Sequence, residues 1–399
     1  MMTVTHDVNP FGPHMIADPY PTYARLRETG PVVADPPGVW VASRYADVQR
    51  VLRDPRFGRE SFGMAVERVF GAGPVSESFS RWILFMNPPD HSRIRSLVGK
   101  AFTPRASERL RESIQRIVDD LIDPLEGRGS FDLVAELAYP LPVVVICELL
   151  GIPEEDRGRF EDWSAAIAQA LDAFTNRRPD IIERANAAAD GLTAYFRELV
   201  ARRRREPCED LLSAMIAAED QGDRLTEDEL LATSVLLFFA GHETTVNLIG
   251  TGVRTLLRHP DQLAMLRDHP ELIGTAVEEL LRYDGPVQRT GRTASADVEL
   301  GGVTVRTGEG VTVFLAAANR DPAHFRDPDR LDITRTDNQH LAFGAGIHYC
   351  VGAPLARVEA QIAINTLLRR FPTLTLQDGT PTWRETAIIR GLMALPLTT

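Results

Sequence analysis

Apolar and polar positions alternate with period two in two stretches and follow a helical period through most of the rest of the chain. "VVADPPGVWVASRYADVQRVLRD" (32–54) predicts a short hairpin followed by a helix. "VELGGVTVRTGEGVTVFLA" (298–316) predicts short strands joined by glycine turns. Between about Asp90 and Arg282 helical patterns dominate, with Pro88 and Pro89 ahead of a helix that starts at Asp90. Thr226 and Glu229 have the spacing of a capping box, and no proline interrupts the chain after them until Pro260. A helix of this length spans about 45 Å. From Leu230 to Ala240 it is apolar nearly all round, which places it through the middle of the body. "PLARVEAQIAINTLLRRF" (354–371) predicts an amphipathic helix with Pro354 in its first turn and Pro372 beyond its end. The proline-rich start (Pro10, Pro13, Pro19, Pro21) reads as an extended arm. The expected fold is mainly α with small β-sheets, a single domain over 1–399 with β-rich patches near 30–45 and 297–316 and a helical core over 90–282 and 353–371.

Composition narrows the function classes. The 399 residues are 44% hydrophobic and 25% charged, enough for a large buried core. A net charge of −12 repels phosphate, so neither nucleic acid nor an anionic membrane is an expected partner. The longest apolar runs, "LPVVVICELL" and "LLATSVLLFFAG", fall short of the ~20 residues that cross a bilayer. The N-terminus has no basic start followed by an apolar stretch, so a soluble, cytoplasmic protein is expected.

Cysteine occurs at 147, 208 and 350, too scattered for a disulfide framework or a zinc cluster. Cys147 lies in an apolar helical run and reads as core; Cys208 reads as exposed. Cys350 stands among Phe343, Gly344, Gly346 and Gly352, just before a helix begins. Glycine opens backbone angles closed to other residues and allows close approach to the main chain. The positive end of the helix favours a thiolate over a thiol. Such a sulfur is a nucleophile, a metal ligand, or simply a buried turn residue. His348 is the one base at hand for the first reading, and nothing near it completes a triad.

The spacing Phe343, Gly346, Cys350, Gly352 resembles the haem-binding loop of the cytochrome P-450 family, whose fold carries a long central helix over a haem. The resemblance implies that Cys350 is the metal ligand, the proximal thiolate of haem iron, with Phe343 shielding the sulfur and Gly344 and Gly352 lining the cofactor. Other motifs follow in family order. "AGHETT" (240–245) is similar to the oxygen-activation motif: Ala240 and Gly241 border the cofactor, Gly241 opens a groove for dioxygen, Thr244 hydrogen-bonds the reacting oxygen, and Glu243 relays protons from solvent. Glu279 and Arg282 match the family's buried E-x-x-R pair, and Arg330 in "DPDRLD" is the expected third member of this structural group. His91 and Arg95 at i,i+4, with Arg292 and His348, match the positions that hold the haem propionates. Taken singly, each of these is an ordinary surface cation or helix polar group.

The implied reaction is monooxygenation of a hydrophobic small molecule by O2, as hydroxylation or epoxidation, on heme b (iron protoporphyrin IX). The chain has no length to spare for a flavin domain. NAD(P)H therefore serves only indirectly, through a ferredoxin and a ferredoxin reductase, with Arg93, Lys100 and Arg105 as candidate ferredoxin contacts. A monomer is expected. The substrate pocket is expected to draw on residues 60–86, 160–195 and 286–290, on Ala240 and its neighbours, and on 388–393.

Overall fold

The computed structural model describes residues 9–399 except 13, 31, 35–38, 60–61, 174–177, 221–224 and 380. The central helix runs Glu227–Leu257, 31 residues, and opens on the expected capping box. The Glu229 amide donates to Thr226 Oγ1 at 3.2 Å, and the Thr226 amide donates back to Glu229 Oε2 at 2.8 Å. Every residue from Leu230 to Phe239 is buried. Helices Pro140–Leu150, Pro179–Arg205, Ile273–Asp284 and Ala353–Arg370 pack around it. That packing, rather than helix propensity, is what holds such a sequence helical.

Strands from the two β patches foreseen near 30–45 and 297–316 join in one sheet, which takes only Gly310–Phe314 from the second. Its strand order is Val32–Ala34, Val39–Ala42, Gly310–Phe314, Arg289–Ala294, Phe57–Gly58. Val39–Ala42 runs parallel to Gly310–Phe314, and the other pairs are antiparallel. Strand 289–294, "RTGRTA", is the piece that apolar alternation did not announce. Its register sets Arg292 opposite Val311 and Arg289 opposite Phe314. Val298–Leu300 and Val303–Val305 form a separate hairpin.

Two expectations need correction. The proline-rich start is not an extended arm: His14–Ala17 and Tyr20–Thr29 are helices, and Pro21 lies in the first turn of the second. There the missing N–H has no intrahelical partner to lose. The helical core is also interrupted, since Ser130–Asp132 is a strand paired with Pro396–Thr398. At the end of helix Pro179–Arg205, Arg203 is buried, donating to Asp210 at 2.7 Å and to the Gly151 carbonyl at 2.6 Å.

Candidate active site

The segment before the last helix turns on two glycines in the left-handed region, Gly344 (φ 71°) and Gly346 (φ 69°). At Gly346 the reason is packing: a Cβ there would lie 2.3 Å from the Leu52 carbonyl oxygen, so helix Tyr45–Arg53 can seat against the loop only if this residue has no side chain. Gly346→Ala is therefore expected to cost about 1–2 kcal/mol from the left-handed backbone alone, plus the displacement of Leu52. A lowered unfolding midpoint in thermal denaturation is the check. The Cys350 amide closes the loop by donating to the Phe343 carbonyl at 2.9 Å, and the helix then starts at Ala353.

The helix end does not win the contest over the Cys350 thiol. Burial pushes its pKa up, while the amides of Gly352 and Ala353 and the charges of Arg95 and Arg357 pull it down. Cys350 has exposed surface, yet the protein around it is dense enough that burial dominates. A bound metal cation removes the proton from such a sulfur outright. Phe343 is clamped from outside by Arg357, whose guanidinium lies 4.5 Å from the ring and is paired with Glu278 at 2.6 Å.

On the central helix, the run of buried residues from Leu230 to Val253 is broken at Ala240, Gly241 and Thr244. Ala240 and Thr244 are one turn apart and share a face. Thr244 Oγ1 donates back to the Ala240 carbonyl at 3.2 Å. A side chain at Gly241 would meet Ile146 Cδ1 at 2.8 Å, so this glycine lets helix Pro140–Leu150 pack closely. Glu243 is buried and pairs with Arg384 from the C-terminal segment. Burial pushes its pKa up and Arg384 opposes that. Asn247 Nδ2 donates to the Glu243 carbonyl at 2.8 Å. Glu243 and Thr244 are adjacent in the chain but point to different partners.

The third group is a cluster of cations. His91 (2% exposed), Arg292 and Arg59 are buried, and Arg95 is half-buried. The rings of His91 and His348 lie 4.4 Å apart, and Arg95 Nη2 donates to the Tyr349 carbonyl at 2.6 Å, beside Cys350. Among the described residues no carboxylate is paired with any of these five. Each titrates below its usual range because burial disfavours its charge, and the neighbouring cations add to this at Arg59 and both histidines. His91 Nδ1, His348 Nε2 and Arg59 Nε are buried with no hydrogen-bond partner. Buried donors gathered this way, beside a lone cysteine sulfur, fit a group that brings its own carboxylates and a thiophilic metal; the residues present fit haem.

The E-x-x-R pair is in place, but its third member is not the expected one. Glu279 and Arg282 are both fully buried and bonded at 2.7 Å. Arg335, not Arg330, reaches Glu279, at 3.2 Å. Arg330 is exposed and contributes only its carbonyl, to Arg282 Nη2 at 3.2 Å. Its short loop turns the side chain outward while the backbone caps the guanidinium. Sequence reasoning missed Arg335, Arg384 and Arg59. None lies in a spaced motif, and each becomes visible only when distant segments meet. In the expected pocket walls, segments 286–290 and 388–390 do meet: Gln288 N donates to the Ile388 carbonyl at 2.9 Å and Arg390 N to the Pro286 carbonyl at 2.8 Å.

Comparison with known proteins gives a consistent picture. The model of the family described as "Cytochrome P450" matches residues 38–396. The chain is 43% identical over 387 residues to the "Biotin biosynthesis cytochrome P450" of Bacillus subtilis (strain 168), covering 96% of each. It is 44% identical over 401 residues to the "Cytochrome P450 monooxygenase PikC" of Streptomyces venezuelae, covering 98% of this chain and 93% of that one. The solved structure of P450BioI in complex with hexadec-9Z-enoic acid ligated acyl carrier protein superposes with a TM-score of 0.89 at 41% identity, over 97% of this chain and 99% of that one.

Proposed function

This chain belongs to the cytochrome P450 family of haem-dependent monooxygenases, and from that membership we propose what its individual residues do. The single observation that carries the assignment is the cation cluster that meets no carboxylate among the described residues and lies against the Cys350 loop. Cys350 supplies the sulfur ligand. Arg95, Arg292, His91 and His348 hold the propionates, and Phe343, clamped by Arg357, covers the sulfur. Gly344 and Gly352 shape the loop beneath the cofactor. Bound haem supplies the activation of O2 and the transfer of one of its atoms to substrate, the other leaving as water.

The protein's own part at the oxygen is proton delivery. Thr244 sits on the exposed face of the central helix, one turn from Ala240, with a hydroxyl that can turn from the Ala240 carbonyl to a ligand. Glu243 is a buried acid joined through Arg384 to a half-exposed position, a route by which protons reach the helix from solvent. Thr244→Val removes the donor and keeps the shape. Product formed per electron consumed is expected to fall by about 10², with peroxide accounting for the difference. Measuring NADPH consumed, peroxide and product together checks this, and unchanged coupling would remove Thr244 from the scheme.

The substrate is a hydrophobic small molecule, hydroxylated or epoxidised, held between the 286–290 and 388–393 segments and the Ala240 face. Electrons come from a separate ferredoxin and its reductase. Arg93 is withdrawn as a free contact, because it is paired with Asp90 and Glu229 at 2.8 and 2.7 Å. Lys100 and Arg105 are exposed and stay candidates. Steady product formation from NADPH with a ferredoxin pair, and a thiolate-type band in the reduced, carbon monoxide-treated protein, test the reading together.

A further inference from the structure

Arg59 belongs to the cation cluster but is given no role at the propionates, and its placement is unusual. It is 7% exposed, its Nε is buried with no hydrogen-bond partner, and no described carboxylate is paired with it. Its Nη2 donates to Thr290 Oγ1 at 3.2 Å, and Arg292 Nη1 lies 3.5 Å from the same oxygen. Two guanidiniums converging on one neutral hydroxyl repel each other unless an anion joins them. The backbone is pinned there, the Arg59 amide donating to Asn87 Oδ1 at 3.0 Å, so the side chain has little freedom to retreat.

The charges can be counted. Arg59, Arg95 and Arg292 bring three guanidiniums to the cluster, and haem brings two carboxylates. Whatever protons His91 and His348 carry, at least one positive charge is left over. A buried charge without a counter-ion is costly. Carbon surface lies on the other side of Arg59. Its guanidinium is 5.7 Å from the Phe85 ring, which stacks on Phe62 at 3.5 Å. Behind Phe85 the rings of Trp82 (6.0 Å) and Phe239 are packed into the core. A cation stands beside the partly exposed aromatic pair Phe62 and Phe85.

We propose that Arg59 is a binding residue for the carboxylate of an amphipathic acid substrate, whose hydrocarbon chain lies against Phe62 and Phe85. This inference rests on the haem assignment, since the charge surplus is counted after the propionates are in place.

The test is equilibrium dialysis of the holoenzyme against tetradecanoic acid and tetradecan-1-ol, for the wild type, R59Q and R59K, with haem content measured on each. The wild type is expected to bind the acid at least about 10-fold more tightly than the alcohol. R59Q abolishes that preference and keeps its haem; R59K retains part of it. A wild type indifferent to the carboxylate, an R59Q protein that still prefers the acid, or one that loses affinity for acid and alcohol equally overturns the proposal. Loss of haem from R59Q with the preference intact assigns Arg59 to the propionates and also overturns it. A wild type that binds no haem overturns the assignment beneath it instead.

Discussion

Replacing Cys350 with serine removes the thiolate-type band from the spectrum of the reduced, carbon monoxide-treated protein and takes product formation below detection. The change exchanges one atom. The loop that presents residue 350 is built by Gly344, Gly346 and the Cys350 amide, none of which the substitution touches. The thiol is already held in its protonated form by burial, and only a metal cation of matching softness draws the proton off. An alcohol is far more basic once deprotonated and is a harder ligand, so it does not take the role. Because the side chain is short and partly exposed, the fold is expected to shift by no more than about 0.5 kcal/mol. Unfolding and spectroscopy therefore separate a lost ligand from a lost structure. An unchanged spectrum in the serine variant would falsify the haem-thiolate assignment.

The second large effect is expected at Glu279, in the fully buried pair with Arg282. Its carboxylate accepts from Arg282 Nε at 2.7 Å and Nη2 at 2.8 Å, Arg335 Nε at 3.2 Å, Asn338 Nδ2 at 3.1 Å and the Asp332 amide at 3.0 Å. Arg282 in turn donates to the carbonyls of Asn319, Pro328 and Arg330. Glu279→Ala leaves a fully buried guanidinium uncompensated, which costs about 3–5 kcal/mol, enough to deplete the folded state of many proteins. Removing Arg335 costs less, about 1–3 kcal/mol, because Arg282 still neutralises the acid. Arg330→Ala changes stability by no more than about 0.5 kcal/mol, since only its carbonyl is used. Urea unfolding of the three variants checks the order. An Arg330 variant as damaged as the Arg335 one would refute the geometry.

That contrast shows what the sequence could and could not carry. Glu279 and Arg282 are three apart on one helix, so local spacing reveals them. Arg330 and Arg335 are both plausible partners in a loop without period, and which one turns inward depends on packing. The capping box at Thr226, the central helix and the cysteine loop were legible for the same local reason. Strand 289–294 was not: it carries two arginines and a glycine, and it is a strand because Gly310–Phe314 hydrogen-bonds to it. Arg384 and Arg59 belong to segments with no motif, and their roles come from contacts with residues 141 and 231 positions away. The misread start of the chain has a different cause. Prolines that exclude a helix interior are welcome in its first turn, and composition alone does not distinguish the two.

The covering of the central helix has a consequence during synthesis. Its nearly all-apolar run, Leu230–Phe239, leaves the ribosome before the helix Ala353–Arg370 and the strands near the carboxyl end that pack against it. For the time it takes to translate those later residues, only the earlier helices Pro140–Leu150 and Pro179–Arg205 can cover this greasy rod, and slow elongation would lengthen its partial exposure.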